Sequence, residues 1–283
     1  MSSVYTLNHG DVDKERQRLD FQHGVFKAAT RGDLPPIIWQ HLNSLPAPKI
    51  ADADTGTGIF LKELAPKLPT EAQLDGFDID TSKFHDPASL PANVKLQYGN
   101  VLEPFPKEYL GTYDLVYVKL LYAALKKDEW LQAVKNLKTL LKPNGYLFWC
   151  DAGAYGYVSC PYSAALHEWK RIESEAAIKF GRDPKCPVLL PIQFQEAGLQ
   201  HVDERVFVWL GRPDLMPLRI KVTLNFMAQN LKGLLLLDQD GSLGLTESKI
   251  NSLVETLTKE TEDGVEIGNN LHWVWGQNDG NPC

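Results

Sequence analysis

The chain has 283 residues, 43% of them hydrophobic, which is enough for one large domain with a buried core. Its 29 Lys and Arg stand against 36 Asp and Glu, a formal charge of -7 with no long basic run, so phosphate backbones and anionic lipid find little attraction and nucleic-acid or membrane partners are set aside. The four cysteines, Cys150, Cys160, Cys186 and Cys283, show neither a C-x-x-C pair nor companion histidine spacing, so free thiols and no metal are expected.

The opening "MSSVYTLNHGDVDKERQRLD" is polar, and no segment approaches ~20 uninterrupted apolar residues, so a cytoplasmic protein without a leader is expected. Leu19, Phe21, Val25 and Phe26 recur at helical spacing, predicting an amphipathic helix capped by Asp11 or Asp13 and broken at "RGDLPP". "IIWQHLNSL" predicts a second, short helix ended by "PAP". Strand-type and helix-type segments then alternate: strands at "KIADA", "AQLDGFDI", "VKLQYGN", "YDLVYVKL" and "GYLFWCDA", helices at "GIFLKELAPKL" and "KKDEWLQAVKNLKTLL". Such alternation means βαβ units in an α/β fold, a doubly wound, mostly parallel sheet with its site at the carboxyl ends of the strands.

Beyond Asp151 the rhythm changes. "SAALHEWKRIESEAAIKF", "MPLRIKVTLNFMAQNLKG" and "LTESKINSLVETLTKE" read as helices, "FQEAGLQHVDERVFVWL" as a helix end followed by a strand, and "NNLHWVWGQ" as a closing strand. The expected division is lid helices in 1–46, a nucleoside-binding core in 47–153, and a helical substrate cap with C-terminal strands in 154–283.

"IADADTGTGIFLKEL" followed by "LDGFDID" is the informative pair. Gly56 and Gly58 let the loop turn sharply, so that a ligand lies on backbone amides. About 20 residues on, Asp78 ends the second strand, where a carboxylate accepts from both hydroxyls of a ribose. Leu61 stands where a dinucleotide fingerprint needs a small residue, and no phosphate loop G-x-x-x-x-G-K-[ST] is present, which disfavours NAD and the usual ATP site.

Together with "GNVLEPFPKEYLGTYDLVYVKLL" and "NLKTLLKPNGYLFWCDAG", this pair resembles the successive motifs of class I S-adenosylmethionine-dependent methyltransferases, of the fungal type that modifies small secondary metabolites. The likeness spans residues 14–153, and "ERQRLDFQHGVF" is similar to that group's N-terminal helix. It implies a seven-stranded Rossmann-like sheet with lid helices and a cap inserted after the fifth strand. It also implies S-adenosyl-L-methionine as cofactor, S-adenosyl-L-homocysteine as product, and a small-molecule acceptor bound by a monomer or homodimer. By the same resemblance Asp52, Gly56 and Gly58 lie under the methionine end, Asp78 takes the ribose, and Asn100 with Val101 meets the adenine edge. Lys119 stands where the family more often has Arg, Tyr117 where it has His, and Asp54 where it has Gly or another small residue. Other roles remain open at these positions: a turn cap for Asp52, an Asx turn for Asn100, a solvated strand end for Lys119.

Asp54 would point toward the methionine end and either meet the cofactor's cationic groups or crowd it out. A phenol or enol acceptor benefits from a histidine base, and His23 and His167 are the candidates; O-methylation is the expected reaction. Tyr5, Tyr155, Tyr157 and Trp169 are candidate walls for an aromatic or polycyclic acceptor, with core packing as the alternative for each. A second enzyme class stays open on Asp54, Tyr117 and Lys119: a cofactor-independent cyclase or isomerase of natural-product ring formation on the same scaffold.

Overall fold

In a computed structural model of the chain, residues 6–7 and 11–280 are described. Helix α1 (Val12–Thr30) starts on Asp11, whose carboxylate accepts from the amides of Asp13 and Lys14, and it ends where Arg31 turns left-handed at φ 58°. Helix α2 (Pro36–Asn43) uses Pro36 at its first position, where a missing amide proton costs nothing. There follow β1 (Lys49–Asp52), α3 (Ile59–Leu64), β2 (Gln73–Asp78), β3 (Val94–Tyr98), β4 (Tyr113–Lys119), α4 (Glu129–Lys138) and β5 (Leu141–Asp151). Helix α3 is shorter than its apolar pattern suggests: the ring of Pro66 opposes the carbonyl one turn back, and residues 65–67 tighten into a 3-10 turn.

The remaining elements are β6 (Val158–Cys160), α5 (Ala164–Lys179), α6 (Leu190–Glu196), β7 (Gln200–Val208), α7 (Met216–Leu237), α8 (Glu247–Glu262), β8 (Glu266–Gly268) and β9 (Asn270–Gln277). Seven strands form one sheet in the order β3-β2-β1-β4-β5-β9-β7. The first five pair in parallel, and β9 runs antiparallel between β5 and β7. This is the mostly parallel, doubly wound sheet expected from the alternation.

The period-2 rule explains how the sheet is covered on both faces. Ile50, Leu115, Tyr117, Phe148 and Trp273 point to one side and pack with α1, α2 and α3. Their neighbours Ala51, Val116, Val118, Trp149 and Val274 point to the other, against Trp130 and Val134 of α4 and Phe194 of α6. A third apolar cluster joins Leu166, Trp169 and Ile172 of α5 to Met227 and Leu231 of α7 and Leu253 and Leu257 of α8. That cluster is the cap. It also holds a two-stranded antiparallel ribbon, β6 with β8, whose three-residue strands are too short for alternation to announce them. Among the described residues no helix is long and apolar enough to cross a membrane.

Candidate functional site

The chain runs from β1 outward to β2 and β3, then resumes on the other side of β1 with β4, so a crevice opens beyond the carboxyl ends of β1 and β4. A cavity of about 190 Å³ lies in it, reached by α1 from one side and by Phe226 of α7 from another.

The β1–α3 loop forms the floor. Gly56 and Gly58 take φ of +59° and +86°, where L side chains are strained, and a Cβ on Gly58 would stand 2.6 Å from Leu96 Cδ1 and force that side chain to shift. The Gly56 amide is not left free for a ligand. It donates to Asp78 Oδ2 at 2.8 Å, while the Asp80 amide donates to Asp78 Oδ1 at 2.8 Å, so one carboxylate ties the floor to the end of β2. Helix α1 is latched above: Thr57 Oγ1 donates to Asp20 Oδ1 at 2.6 Å, and Arg16 donates to the carbonyls of Ser82 and Lys83.

Four carboxylates border the cavity, Asp52, Asp54, Asp78 and Asp151, each at or just past the end of a strand. Asp52 is 1% exposed; its Oδ2 accepts from Thr55 Oγ1 at 2.8 Å and its Oδ1 is buried with no partner. Burial pushes its carboxyl up to about 7, helped by Asp78 and opposed by the Thr55 hydroxyl and Lys119. Asp151 rises to about 6, burial outweighing the donors Trp149 Nε1 and the Leu121 and Ala152 amides. Asp78 is raised by burial against the amides that hold it. Asp54 is raised well above the carboxylate range, first by burial, then by Asp78, with Lys83 pulling the other way.

A raised carboxyl has a consequence for stability. Asp52 is more easily protonated folded than unfolded, so its contribution is complete below the unfolded value near 4 and is lost as pH rises through about 7. In ligand-free protein, Asp52→Asn should therefore gain on the parent as pH rises from about 4 to about 8, by up to about 4 kcal/mol, read from denaturant midpoints across that range. A difference between the two proteins that does not move with pH would refute this.

Lys119 ends β4 beneath α1, its Nζ 3.4 Å from His23 Nδ1 and 5.2 Å from the centre of the Phe26 ring. His23 borders the cavity, but burial, then Lys119, Lys27 and Lys67, push it down to about 2. It is neutral at any ordinary pH and a weak proton acceptor. Tyr117 is buried and stacks on Phe60 at 3.7 Å between ring centroids. Asn100 and Val101 border the cavity, with the Asn100 side chain engaged locally: Oδ1 accepts from the Leu102 amide and Nδ2 donates to Glu103, both at 3.0 Å. That is the Asx turn, and it leaves the Asn100 carbonyl oxygen one further lone pair.

The structure places the expected acceptor residues away from this cavity. His167 is an exposed residue of α5, stacked on Tyr162 with 4.8 Å between ring centroids. Tyr155 is 54% exposed, and Tyr157 and Trp169 bury their rings against each other in the cap core, 5.0 Å apart. None of these four borders the cavity, and Tyr5 lies outside the described residues. Helical geometry gives the reason: Trp169 shares a face with Leu166 and Ile172, three residues to either side, and that face is the cap core, while His167 is turned away from it.

Residues that the sequence reading passed over also border the cavity: Gln22 of α1, Leu121 and Tyr122 after β4, Asp151, Lys83 and Phe226. Asp151 had a signal, a charged residue closing an apolar strand just as Asp52 and Asp78 do. Phe226 had none, because one apolar residue of a long helix looks like the next.

Comparison with known proteins agrees with this geometry. Residues 50–145 match the family described as a methyltransferase domain. The chain is similar to Methyltransferase grgD of Penicillium sp, 36% identical over 214 residues, which are 72% of each protein. It is also similar to N-methyltransferase tcpN of Claviceps purpurea, 29% identical over 195 residues and 68% of each. Among solved structures, a protein of Galdieria sulphuraria described as a sarcosine dimethylglycine methyltransferase shares the fold with TM-score 0.53 at 14% identity, covering 99% of this chain and 94% of that one.

Proposed function

The chain belongs to the class I S-adenosylmethionine-dependent methyltransferases of the fungal secondary-metabolite type, and on that premise we propose that it methylates a nitrogen on a medium-sized, largely apolar ring compound. The residues at hand suit the cofactor: the unpartnered buried Asp52 Oδ1 and the carboxylate of Asp54 offer acceptors to a cationic ligand. Asp78 keeps lone pairs for a ribose diol, and the Val101 amide and Asn100 oxygen border the place for an adenine edge. When bound, the cofactor supplies an electrophilic methyl on sulfur.

The observation that carries the choice of nitrogen is the name of the Claviceps relative, an N-methyltransferase. Nitrogen also asks less of the site: a phenol must lose its proton to become a good nucleophile, and His23, held well below its ordinary value by burial, is a poor acceptor for it. A nitrogen attacks with its own lone pair and sheds its proton afterwards. This preference departs from the O-methylation expected of the sequence. Leu121, Tyr122 and Phe226 supply an apolar wall against which a ring can be held in line with the methyl carbon. The cyclase or isomerase reading, raised by Asp54, Tyr117 and Lys119, is not favoured by the relatives' names. Free thiols at Cys150, Cys160 and Cys186 support a reducing, cytoplasmic setting.

The test pairs acceptors on one ring skeleton, differing only in an N–H or an O–H, with the purified protein and S-adenosylmethionine. Methylated product from the N–H member, with S-adenosylhomocysteine released in equal amount, is the expected result. Turnover of the O–H member alone would reverse the assignment to oxygen.

A further inference from the structure

Asp54 differs from the other three carboxylates in its surroundings. Asp52 is held by the Thr55 hydroxyl, Asp78 by the amides of Gly56 and Asp80, and Asp151 by Trp149 Nε1 and two amides. The Asp54 carboxylate accepts no hydrogen bond from any described residue, yet it borders the cavity. Its neighbours on every side are charged: Asp52 from β1, Asp78 from β2, Asp151 from β5 and Lys83 from the loop after β2. Farther round the cavity stand Lys119 from β4 and Arg18 and His23 from α1. Lys83 lies 3.4 Å from Asp80 and Lys119 is set against His23, so both cations have other partners. The neighbouring Asp52 Oδ1, buried and unpartnered, marks the same region as short of a positive group.

We propose that Asp54 is the residue by which this protein distinguishes S-adenosylmethionine from S-adenosylhomocysteine, its carboxylate facing the sulfonium and finding no counterpart on the uncharged thioether of the product. The argument for sulfur over the ammonium rests on the reading of Asp78 as the ribose acceptor. The turn that follows Asp54 is bonded to the end of β2, the Thr55 amide donating to the Phe77 carbonyl at 2.9 Å and the Gly56 amide to Asp78 Oδ2 at 2.8 Å. In the cofactor, one methylene separates sulfur from the ribose, whereas the ammonium stands at the far end of the methionine chain. A carboxylate next to the ribose site therefore meets the sulfonium first. The consequence is product discrimination: once the methyl has left, the sulfur no longer offsets Asp54, and the product is released more readily. A proton balance follows. Burial and the neighbouring carboxylates favour the protonated form of Asp54 in the free protein and the sulfonium favours its carboxylate, so S-adenosylmethionine binding strengthens as pH rises, and S-adenosylhomocysteine binding does so less.

The experiment is isothermal titration of the full chain with S-adenosylmethionine, S-adenosylhomocysteine and 5'-methylthioadenosine, the last lacking both sulfonium and ammonium. Each is measured near neutral pH in buffers of different ionisation enthalpy. The parent is expected to release a proton with S-adenosylmethionine and to prefer it over the product. Asp54→Asn should reduce that proton release to what Asp52 contributes and cut the preference by about tenfold or more, with 5'-methylthioadenosine affinity moving by less than about threefold. If Asp54→Asn does not fold, Asp54→Gly, which restores the small residue of the family pattern, reads the same quantities. Equal weakening of S-adenosylmethionine and S-adenosylhomocysteine would place Asp54 at the ammonium and overturn the inference, as would an unchanged preference. A parent that binds neither ligand would overturn the placement of the cofactor itself.

Discussion

Replacing Asp78 by Ala should lower affinity for S-adenosylmethionine by about 10- to 150-fold, the equivalent of about 1.5 to 3 kcal/mol for hydrogen bonds to a charged acceptor. Two losses coincide. The ribose loses its acceptor, and the amides of Gly56 and Asp80, each 2.8 Å from an Asp78 oxygen, lose the group that holds the floor of the site to β2. Asp78→Asn retains one carbonyl oxygen but turns an NH2 toward the other amide, so its affinity should fall between those of the parent and the Ala variant. The dissociation constant is to be read by titration on protein whose melting curve remains cooperative. An unchanged constant in folded Asp78→Ala would mean that the ribose lies elsewhere.

The second large effect is on stability, and it comes from the cap. Arg182 and Glu173 form an ion pair at 2.6 Å with both side chains fully buried. Arg182→Met should destabilise the fold by about 3 to 5 kcal/mol, because it leaves the buried Glu173 carboxylate without its cationic partner. Adding Glu173→Leu should recover most of that loss, since two apolar residues of similar size replace a desolvated pair at little net cost. Chemical denaturation of the parent, both single variants and the double variant closes the cycle. If Arg182→Met alone proves neutral, the pair carries no weight. Tyr122 connects this to the site: its ring lies 5.7 Å from the Arg182 guanidinium carbon and borders the cavity, so the single variant should also disturb binding on the apolar wall.

Much of the core could be read before any coordinates. Asp52, Gly56 and Asp78 are brought to one cavity, because each sits at a strand end or in the turn that follows, and a parallel sheet gathers its carboxyl ends along one edge. The pattern at Asp54 raised the right question without its answer. Burial among like charges is a property of β1, β2 and β5 side by side, and no window along the chain contains all three.

The residues around the acceptor side of the cavity are not legible in the sequence for a related reason. Tyr155, Tyr157, His167 and Trp169 are close in sequence and of the types that line aromatic sites, and they scatter to the surface and to the cap core. Phe226 and Gln22, which no local feature recommends, come instead to the cavity because α7 and α1 cross it. His23 was identified as a candidate, but its weak basicity arises from burial beside Lys119, 96 positions away in the chain.

Sequence alone determined the α/β class, the run of strands, the glycine turn and the carboxylate of Asp78 at the end of β2, since alternation, turn conformation and strand-end charge are local properties governed by steric and hydrophobic rules over a few residues. Tertiary structure alone decided which cap residues border the cavity, which carboxylates share a buried space, and how far burial lowers the basicity of His23. Those depend on the distances and the dielectric between groups far apart in the chain, and only packing sets them.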